Sequence, residues 1–588
     1  MKKTLAIFLA CAMLLVLFTA CSGTGSTSTT AATTAAATTA AATTAAATTA
    51  ATTAAKTTAA ATTAATTAAA TTAAPATTAN AGGSSGEGYA IKFDPPITVT
   101  GVRTAVTASM ADLPLDDNSW TQLYLDRHGI ILEYLWVCDG SQYNEKVNLA
   151  IMSGEIPDIM QVTDQQYQQL YEADLLTSVD SAFYDYATAD TITCTTEQGE
   201  LAYEACKRNG ELYAIPFVTL VKENAHVLYL RQDWLDQTGS PNPTDLASFE
   251  QILADFANPD LGGVNFSICD NKNMSFFKNV VCPMFGGAYT IWIEKDGGLA
   301  YGAIQPEIRD ALAQYVTWYQ NGYIDPEFIT NDGPKIVEKI ASSQIGLNYG
   351  PFSSPLSGWT SAAQLDENIE MSYFTIPTVT GGMAKMPIGT GIAGYWVASA
   401  ECEHPEAITL MINDFIDKFY LSTSEEDANT YIDDITSGLA LWQHSYCRSY
   451  RGFKNYQQSI DVGQYLNGQL DYENLTADSK GVATRIDQFK NGDISTWGWN
   501  EIYGLDGIFG AVEQLIKNDS YIQTAYYGAP TESMGSYNST LEDLCIETFT
   551  DITVGKKDIS YFDTFVEEYL AQGGQKIQDE VNEWYANK

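Results

Sequence analysis

The stretch MPIGTGIAGYW, residues 386–396, contains Gly389-x-Gly391-x-x-Gly394. In a dinucleotide site that spacing follows a strand and opens a helix whose N-terminus faces the pyrophosphate. Here the glycines run into YWVAS, which has strand character, and helical patterning begins only near His404-Pro405-Glu406. The spacing therefore reads as a strand lining a cleft, where glycine lets backbone or ligand come close.

Other reactive patterns are few. No H-E-x-x-H or P-loop occurs, and the one literal G-x-S-x-G, Gly82 to Gly86, falls in the Ala/Thr/Gly/Ser-rich segment rather than between a strand and a helix, so none of these signatures has the context its chemistry needs. The four histidines are scattered, and the eight cysteines beyond Cys21 form no C-x-x-C, so no zinc site is expected. Those cysteines read as small buried hydrophobes. Residues 270–275, DNKNMS, resemble a calcium loop but lack its later glycine and bidentate glutamate. No cofactor and no metal is required by any of these patterns. A glycoside hydrolase would need two flanking carboxylates. With 72 acidic residues such a pair can be drawn anywhere, so it distinguishes nothing.

The elements that would carry a site follow from periodicity. Residues 97–106 read as a strand, SWTQLYLDRHG as a short helix stopped by Gly129, and ILEYLWV as a second strand. The helix SQYNEKVNLAIMSG comes next, with Tyr143, Val147 and Ile151 on one face, then the strand IPDIMQV and the helix DQQYQQLYEADLL. This alternation predicts a mainly parallel α/β sheet. Asp245 is an expected N-cap, ahead of an apolar stripe through Phe249, Leu253 and Phe256. The last quarter of the chain is patterned for helix.

The ends and the charge narrow the setting. Lys2 and Lys3 precede an apolar run at residues 5–18, too short for a membrane span and typical of a secretory signal. LFTAC then places Cys21 as in a bacterial lipobox, whose cysteine is lipidated. Residues 22–88 are nearly all Ala, Thr, Gly and Ser and cannot bury a core, so they read as a tether, with threonines open to glycosylation. Fully extended, it reaches roughly 220 Å. The formal charge of −42 repels nucleic acid and anionic lipid, so neither is an expected partner.

Five phrases in order then resemble a known family: YNEKVNLAIMSGEIPDIMQV, GELYAIPFV with VLYLRQDWLDQTG, YVTWYQNGYIDPEF, WVASAECEHPEAITLMINDF, and the C-terminal APTESMGSYNSTLEDLCIETFTDITVGKKD with FVEEYLAQGGQKIQDEVNEWY. They are similar to family 1 extracellular solute-binding lipoproteins, in the branch related to the lipoprotein LplA. The resemblance covers nearly all of residues 97–588. It implies the two-lobed, hinged α/β fold of type II periplasmic-binding proteins, with a helical C-terminal region. It places lobe 1 at 89–224 plus 380–440, lobe 2 at 225–379, and helices packing on both at 441–588. It also implies a monomer that captures a sugar, most naturally an oligosaccharide, in the interlobe cleft for an ABC permease. A lipidated Cys21 would moor it on the outer face of a Gram-positive cell membrane. A surface-anchored glycoside hydrolase and a glycan-binding adhesin or sensor are the alternatives, although no β-module repeat favours the adhesin.

Sugar capture directs attention to aromatics, because a ring covers the apolar face of a pyranose while polar groups meet its hydroxyls. Ligands of open α/β sheets lie beyond the carboxyl ends of strands. The candidate contacts are therefore Asn118 and Trp120 after the first strand, Trp136 after the second, Asp164 after the third, and Trp292 before the turn EKDGG. Tyr349 and Trp359 in NYGPFSSPLSGW, Trp396 after the glycines, and Trp499 in STWGWN complete the set.

Overall fold

The computed structural model describes residues 91–106, 113–432 and 439–588. The signal segment, Cys21 and the tether lie outside the described residues. The elements follow in the order β1 (Ile97–Thr104), α1 (Ser119–His128), β2 (Ile130–Cys138), α2 (Gly140–Ser153), β3 (Ile159–Val162), α3 (Asp164–Glu172), β4 (Ile215–Val218) and β5 (Val227–Arg231). Next come α4 (Leu246–Phe256), β6 (Trp292–Lys295), β7 (Gly298–Tyr301), α5 (Pro306–Gln320), β8 (Leu347–Gly350), β9 (Met371–Phe374), β10 (Met386–Ile388) and β11 (Ile392–Ala398). The chain continues through α6 (Glu406–Phe415), α7 (Lys454–Leu466), β12 (Tyr521–Gln523) and α8 (Glu532–Thr553).

Local chemistry accounts for the helix ends. Asn118 caps α1 by accepting from the Trp120 and Thr121 amides, and Thr121 returns the bond to the Asn118 amide. Gly129 stops the same helix in the left-handed region, at φ 68°. Asp245 caps α4 in the same reciprocal way with Ser248.

The buried side chains divide between two hydrophobic cores. The smaller gathers residues from Val99 to Phe217, then Trp396 to Tyr420, then Tyr446 and Cys447. The larger runs from Ala225 to Ile388 and takes in Val462 to Val581 of the C-terminal helices. Ala384, Met386 and Ile388 thus share the larger core, because β10 pairs with β12 of the C-terminal region.

The sheets are more antiparallel than the strand–helix alternation predicted. The pairs β1–β2 and β10–β12 run parallel. In the smaller core, β11 lies between β3 and β4 and opposes both. In the larger core, β5 lies between β8 and β9 and opposes both. The physical reason is that each central strand pairs with strands arriving from a distant part of the chain. β11 is a return strand that comes in from the larger core and so runs back against its neighbours.

The chain passes between the cores at three adjacent places: residues 219–226, 389–391 and 448–454. They are bonded to one another. The Thr219 amide donates to Gly391 O at 2.8 Å, and the Val218 amide donates to Ser449 Oγ at 3.0 Å. Glu223 is fully buried there and accepts from the Asn455 and Tyr456 amides at the start of α7, at 3.1 and 2.9 Å. The Asn455 side chain adds a third bond, at 2.6 Å.

The glycine stretch now has a structural account. Gly389 to Gly391 form the passage from β10 to β11, Gly391 adopts φ 83°, and no helix begins before Glu406. A side chain at Gly394 would press on Gln161 at 3.1 Å, at a point where the β11–β4 register shifts. The phosphate-facing helix of a dinucleotide site is absent here, and the glycines serve a crossing between cores.

Candidate functional site

The largest cavity described holds about 550 Å³ and is walled from both cores. Asp164 and Tyr395 belong to elements of the smaller core, at the start of α3 and within β11. Trp292 and Tyr301 come from the β6–β7 hairpin, where they are paired across the strands with rings 5.3 Å apart. Tyr526 and Tyr527 come from the loop after β12, and Tyr569 lies beyond α8 in sequence, stacked on Tyr301 at 6.1 Å. Six aromatic side chains thus line one cavity, beside Thr390 from the glycine passage and Asn538 and Glu542 from α8.

Each ring is held by its surroundings. Tyr395 stacks on Tyr167 at 5.0 Å, and the Arg208 guanidinium stands 4.4 Å over the far ring. The Ala525 amide donates to Trp292 O at 2.8 Å, which ties the 524–530 loop to the hairpin. The Tyr526 hydroxyl donates to Ala529 O, and burial pushes its pKa up to about 12. Burial raises Tyr301 and Tyr395 also, so these phenols stay protonated and available as neutral hydrogen-bonding groups. Glu542 is paired with Lys278 and lies 3.3 Å from the Tyr289 hydroxyl, while Asp164 is exposed. Such a surface offers apolar faces with a few polar groups, the usual composition of a site for a small organic ligand.

Of the sequence-derived candidates, the structure brings Asp164 and Trp292 to this cavity. Asn118 is engaged in capping α1, and its amide nitrogen donates to Pro114 O and Leu115 O. Trp120, Trp359 and Trp396 are 0%, 1% and 4% exposed, which seats all three in the cores. The Trp120 indole N–H points to Tyr431 O and Leu441 O, each at 3.2 Å, and that of Trp396 donates to Arg448 O at 2.8 Å. The N–H groups of Trp120 and Trp396 are thus satisfied, that of Trp359 is buried without a partner, and none of the three rings reaches the large cavity. Trp136 is half-buried against Tyr143, and Trp499 lies between Tyr503 and Arg485. Tyr349 sits between His226 and Phe276, near a second cavity of about 230 Å³ lined by His226 and Asn279 beside the crossing strands.

Sequence reasoning missed Tyr301, Tyr395, Tyr526, Tyr527 and Tyr569. A signal existed for two of them. TAYYGAP, around Tyr526 and Tyr527, sets paired aromatics beside Gly and Pro, which is a loop signature. Asp270 in the calcium-like stretch accepts from the Asn271, Phe276 and Phe277 amides and the Tyr315 hydroxyl, so its oxygens serve a helix start. Seven of the eight described cysteines are buried and all are free, and burial holds thiols such as Cys206 and Cys447 above their ordinary range.

Comparison with known proteins follows the same architecture. The family model described as bacterial extracellular solute-binding protein matches residues 121–433, more than half of the chain. Lipoprotein LipO of Bacillus subtilis (strain 168) is 22% identical over 480 residues, covering 77% of this chain and 86% of that protein. Among solved structures, the alginate-binding protein AlgQ2 without calcium ion aligns with a TM-score of 0.53 at 15% identity, over 85% of this chain and all of that one. An HMO-binding, ABC-transporter-associated solute-binding protein from Bifidobacterium longum infantis aligns with a TM-score of 0.55 at 12% identity, over 83% of this chain and 98% of that one. These likenesses establish the two-domain, periplasmic-binding-protein-like fold. With its mixed α/β cores, its threefold crossing and the match over residues 121–433, the chain belongs to the family of bacterial extracellular solute-binding proteins.

Proposed function

We propose that this protein captures a carbohydrate, most naturally an oligosaccharide, and hands it unaltered to an ABC permease. The observation that carries the reading is the cavity of about 550 Å³ with aromatic walls drawn from both cores. A pyranose presents apolar C–H faces that rings can cover, and a rim of hydroxyls that phenols, Asp164, Asn538 and Glu542 can meet. Walls on separate cores make ligand binding and lobe closure one equilibrium, because a sugar touching both walls favours the closed form. In this reading the crossings at 219–226, 389–391 and 448–454 act as the hinge and divide lobe 1 from lobe 2. The contact set is Asp164 and Trp292 together with Tyr301, Tyr395, Tyr526 and Tyr527. That AlgQ2 is an alginate-binding protein is in keeping with a carbohydrate ligand.

The same proposal assigns the N-terminus. Lipidated Cys21 holds a monomer at the outer face of a Gram-positive membrane, and residues 22–88 space the lobes from it. The likeness to a lipoprotein supports this anchoring. The deciding experiment is a thermal-shift and calorimetric screen over mono- and oligosaccharides, with chromatography of the sugars afterwards. Saturable stabilisation with unchanged sugars supports capture. New reducing ends would mean hydrolysis, and no binding across the panel would remove the sugar reading.

A further inference from the structure

A third cavity, of about 90 Å³, lies beside Trp396 at the carboxyl ends of β1 and β3. Arg103, Gln161 and Arg448 line it. Among the described residues, the arginines paired with carboxylates are Arg127, Arg231 and Arg451, and neither Arg103 nor Arg448 is among them. Arg103 is held by neutral acceptors: Thr104 O at 3.2 Å, the Tyr134 hydroxyl at 3.3 Å, His444 O at 3.1 Å and Gln443 O at 2.7 Å. Arg448 stands over the Trp442 ring at 5.0 Å and the Phe217 ring at 6.0 Å. Its Nη1 is buried without a hydrogen-bond partner, and so is Gln161 Nε2. Burial lowers the Arg448 pKa, and the neighbouring Arg103 charge lowers it further.

A buried guanidinium with neither counter-charge nor acceptor is costly, and buried donors without partners are rare in native proteins. This chain has 72 acidic residues and a formal charge of −42, yet sets none of the described carboxylates against these two arginines. Arg448 and Gln161, each with one donor left without a partner, both line this one cavity together with Arg103. We infer that the cavity receives an oxyanionic group, a carboxylate, sulfate or phosphate, whose oxygens accept from Arg448 Nη1 and Gln161 Nε2 in the field of Arg103. Its size agrees, since a cavity of about 90 Å³ has room for a small oxyanion. Such a group has two sources: a free inorganic ion, or the carboxylate of an acidic sugar whose ring lies outside. The second source rests on the sugar-capture reading, whereas the first does not.

The test uses the mature full chain and its Arg448→Met variant. Sodium sulfate is titrated against sodium chloride at matched ionic strength, and tetragalacturonate against cellotetraose. Sulfate is expected to raise the melting temperature of the wild type beyond chloride, with affinity at least about tenfold weaker in Arg448→Met. The same loss is expected in Gln161→Met, which decides the matter if the arginine variant fails to fold. Without anion, Arg448→Met should melt no lower than wild type, because it removes a buried uncompensated charge. A merely structural arginine would instead melt lower in every buffer. Tetragalacturonate binding that falls about tenfold in Arg448→Met and is displaced by sulfate identifies the sugar carboxylate as the source. Sulfate stabilisation that is lost in Arg448→Met and leaves both sugars unaffected identifies a free ion, whereas a gain equal in wild type and variant is the general effect of sulfate and counts against the site. If neither sugar binds while the sulfate effect persists, sugar capture is in trouble and the anion site stands. Equal effects of sulfate and chloride, with tetragalacturonate binding untouched by both substitutions, would overturn the inference.

Discussion

Tyr395 and Trp396 are neighbours on β11, yet they inhabit different parts of the molecule. Tyr395 is half-buried and faces the large cavity, whereas Trp396 is buried against Tyr446 at 5.4 Å with its N–H satisfied. Successive strand residues point to opposite faces, so one step along the chain separates a cavity wall from a core. The larger ring is the more natural choice when a sequence is searched for sugar contacts. Strand phase matters more than ring size.

That contrast can be broken most forcibly at Trp396. Trp396→Ala should cost about 3–5 kcal/mol, the usual range for truncating a fully packed Trp. Denaturant unfolding would show it as a large fall in midpoint. A loss under about 1 kcal/mol would mean the ring is not part of the core.

On the other face, Tyr395→Ala and Trp292→Ala should each lower sugar affinity at least about tenfold, or ~1.4 kcal/mol, with the smaller effect on folding. Calorimetry on folded protein separates the two terms. Unchanged affinity in both variants would move the ligand out of this cavity.

Behind both faces, the buried Glu223 sharpens the comparison through pH. Burial pushes its pKa up to about 7, against the opposing pull of the Tyr456 and Asn455 donors. A carboxyl raised from its ordinary 4.5 binds its proton more tightly in the folded state. Its contribution is fully present below about pH 4.5 and is lost as pH rises through about 7. Glu223→Gln should therefore melt closer to wild type at pH 5 than at pH 8, where the neutral amide gains by comparison. A wild-type-minus-variant difference that stays flat across this window would contradict the assignment.

The smallest effect is expected at Asn118. Asn118→Ala should cost about 1 kcal/mol through loss of the α1 cap and leave ligand affinity alone. A change in affinity there would return the residue to the site.

Much of the local structure was legible in the sequence. The caps at Asn118 and Asp245, the stop at Gly129 and the strands of the smaller core follow from residue types within a few positions. The pairing of β11 between β3 and β4 was not legible, because Trp396 meets Gln161 and Ile215, which are distant along the chain. The site was hidden for the same reason. Trp292 could be singled out from its turn, but its partner Tyr526, and Tyr569 stacked on the neighbouring Tyr301, arrive from the C-terminal region, and no local pattern records that meeting. Burial separates Trp120 and Trp359 from the cavity aromatics, and burial is a property of the assembled core.

The most direct test is a crystal structure with the sugar that emerges from screening. The account predicts a sugar ring in the cavity of about 550 Å³, in contact with Tyr395 on one side and with Trp292 or Tyr526 on the other. A well-ordered sugar bound elsewhere, or one touching residues of a single core, would contradict it.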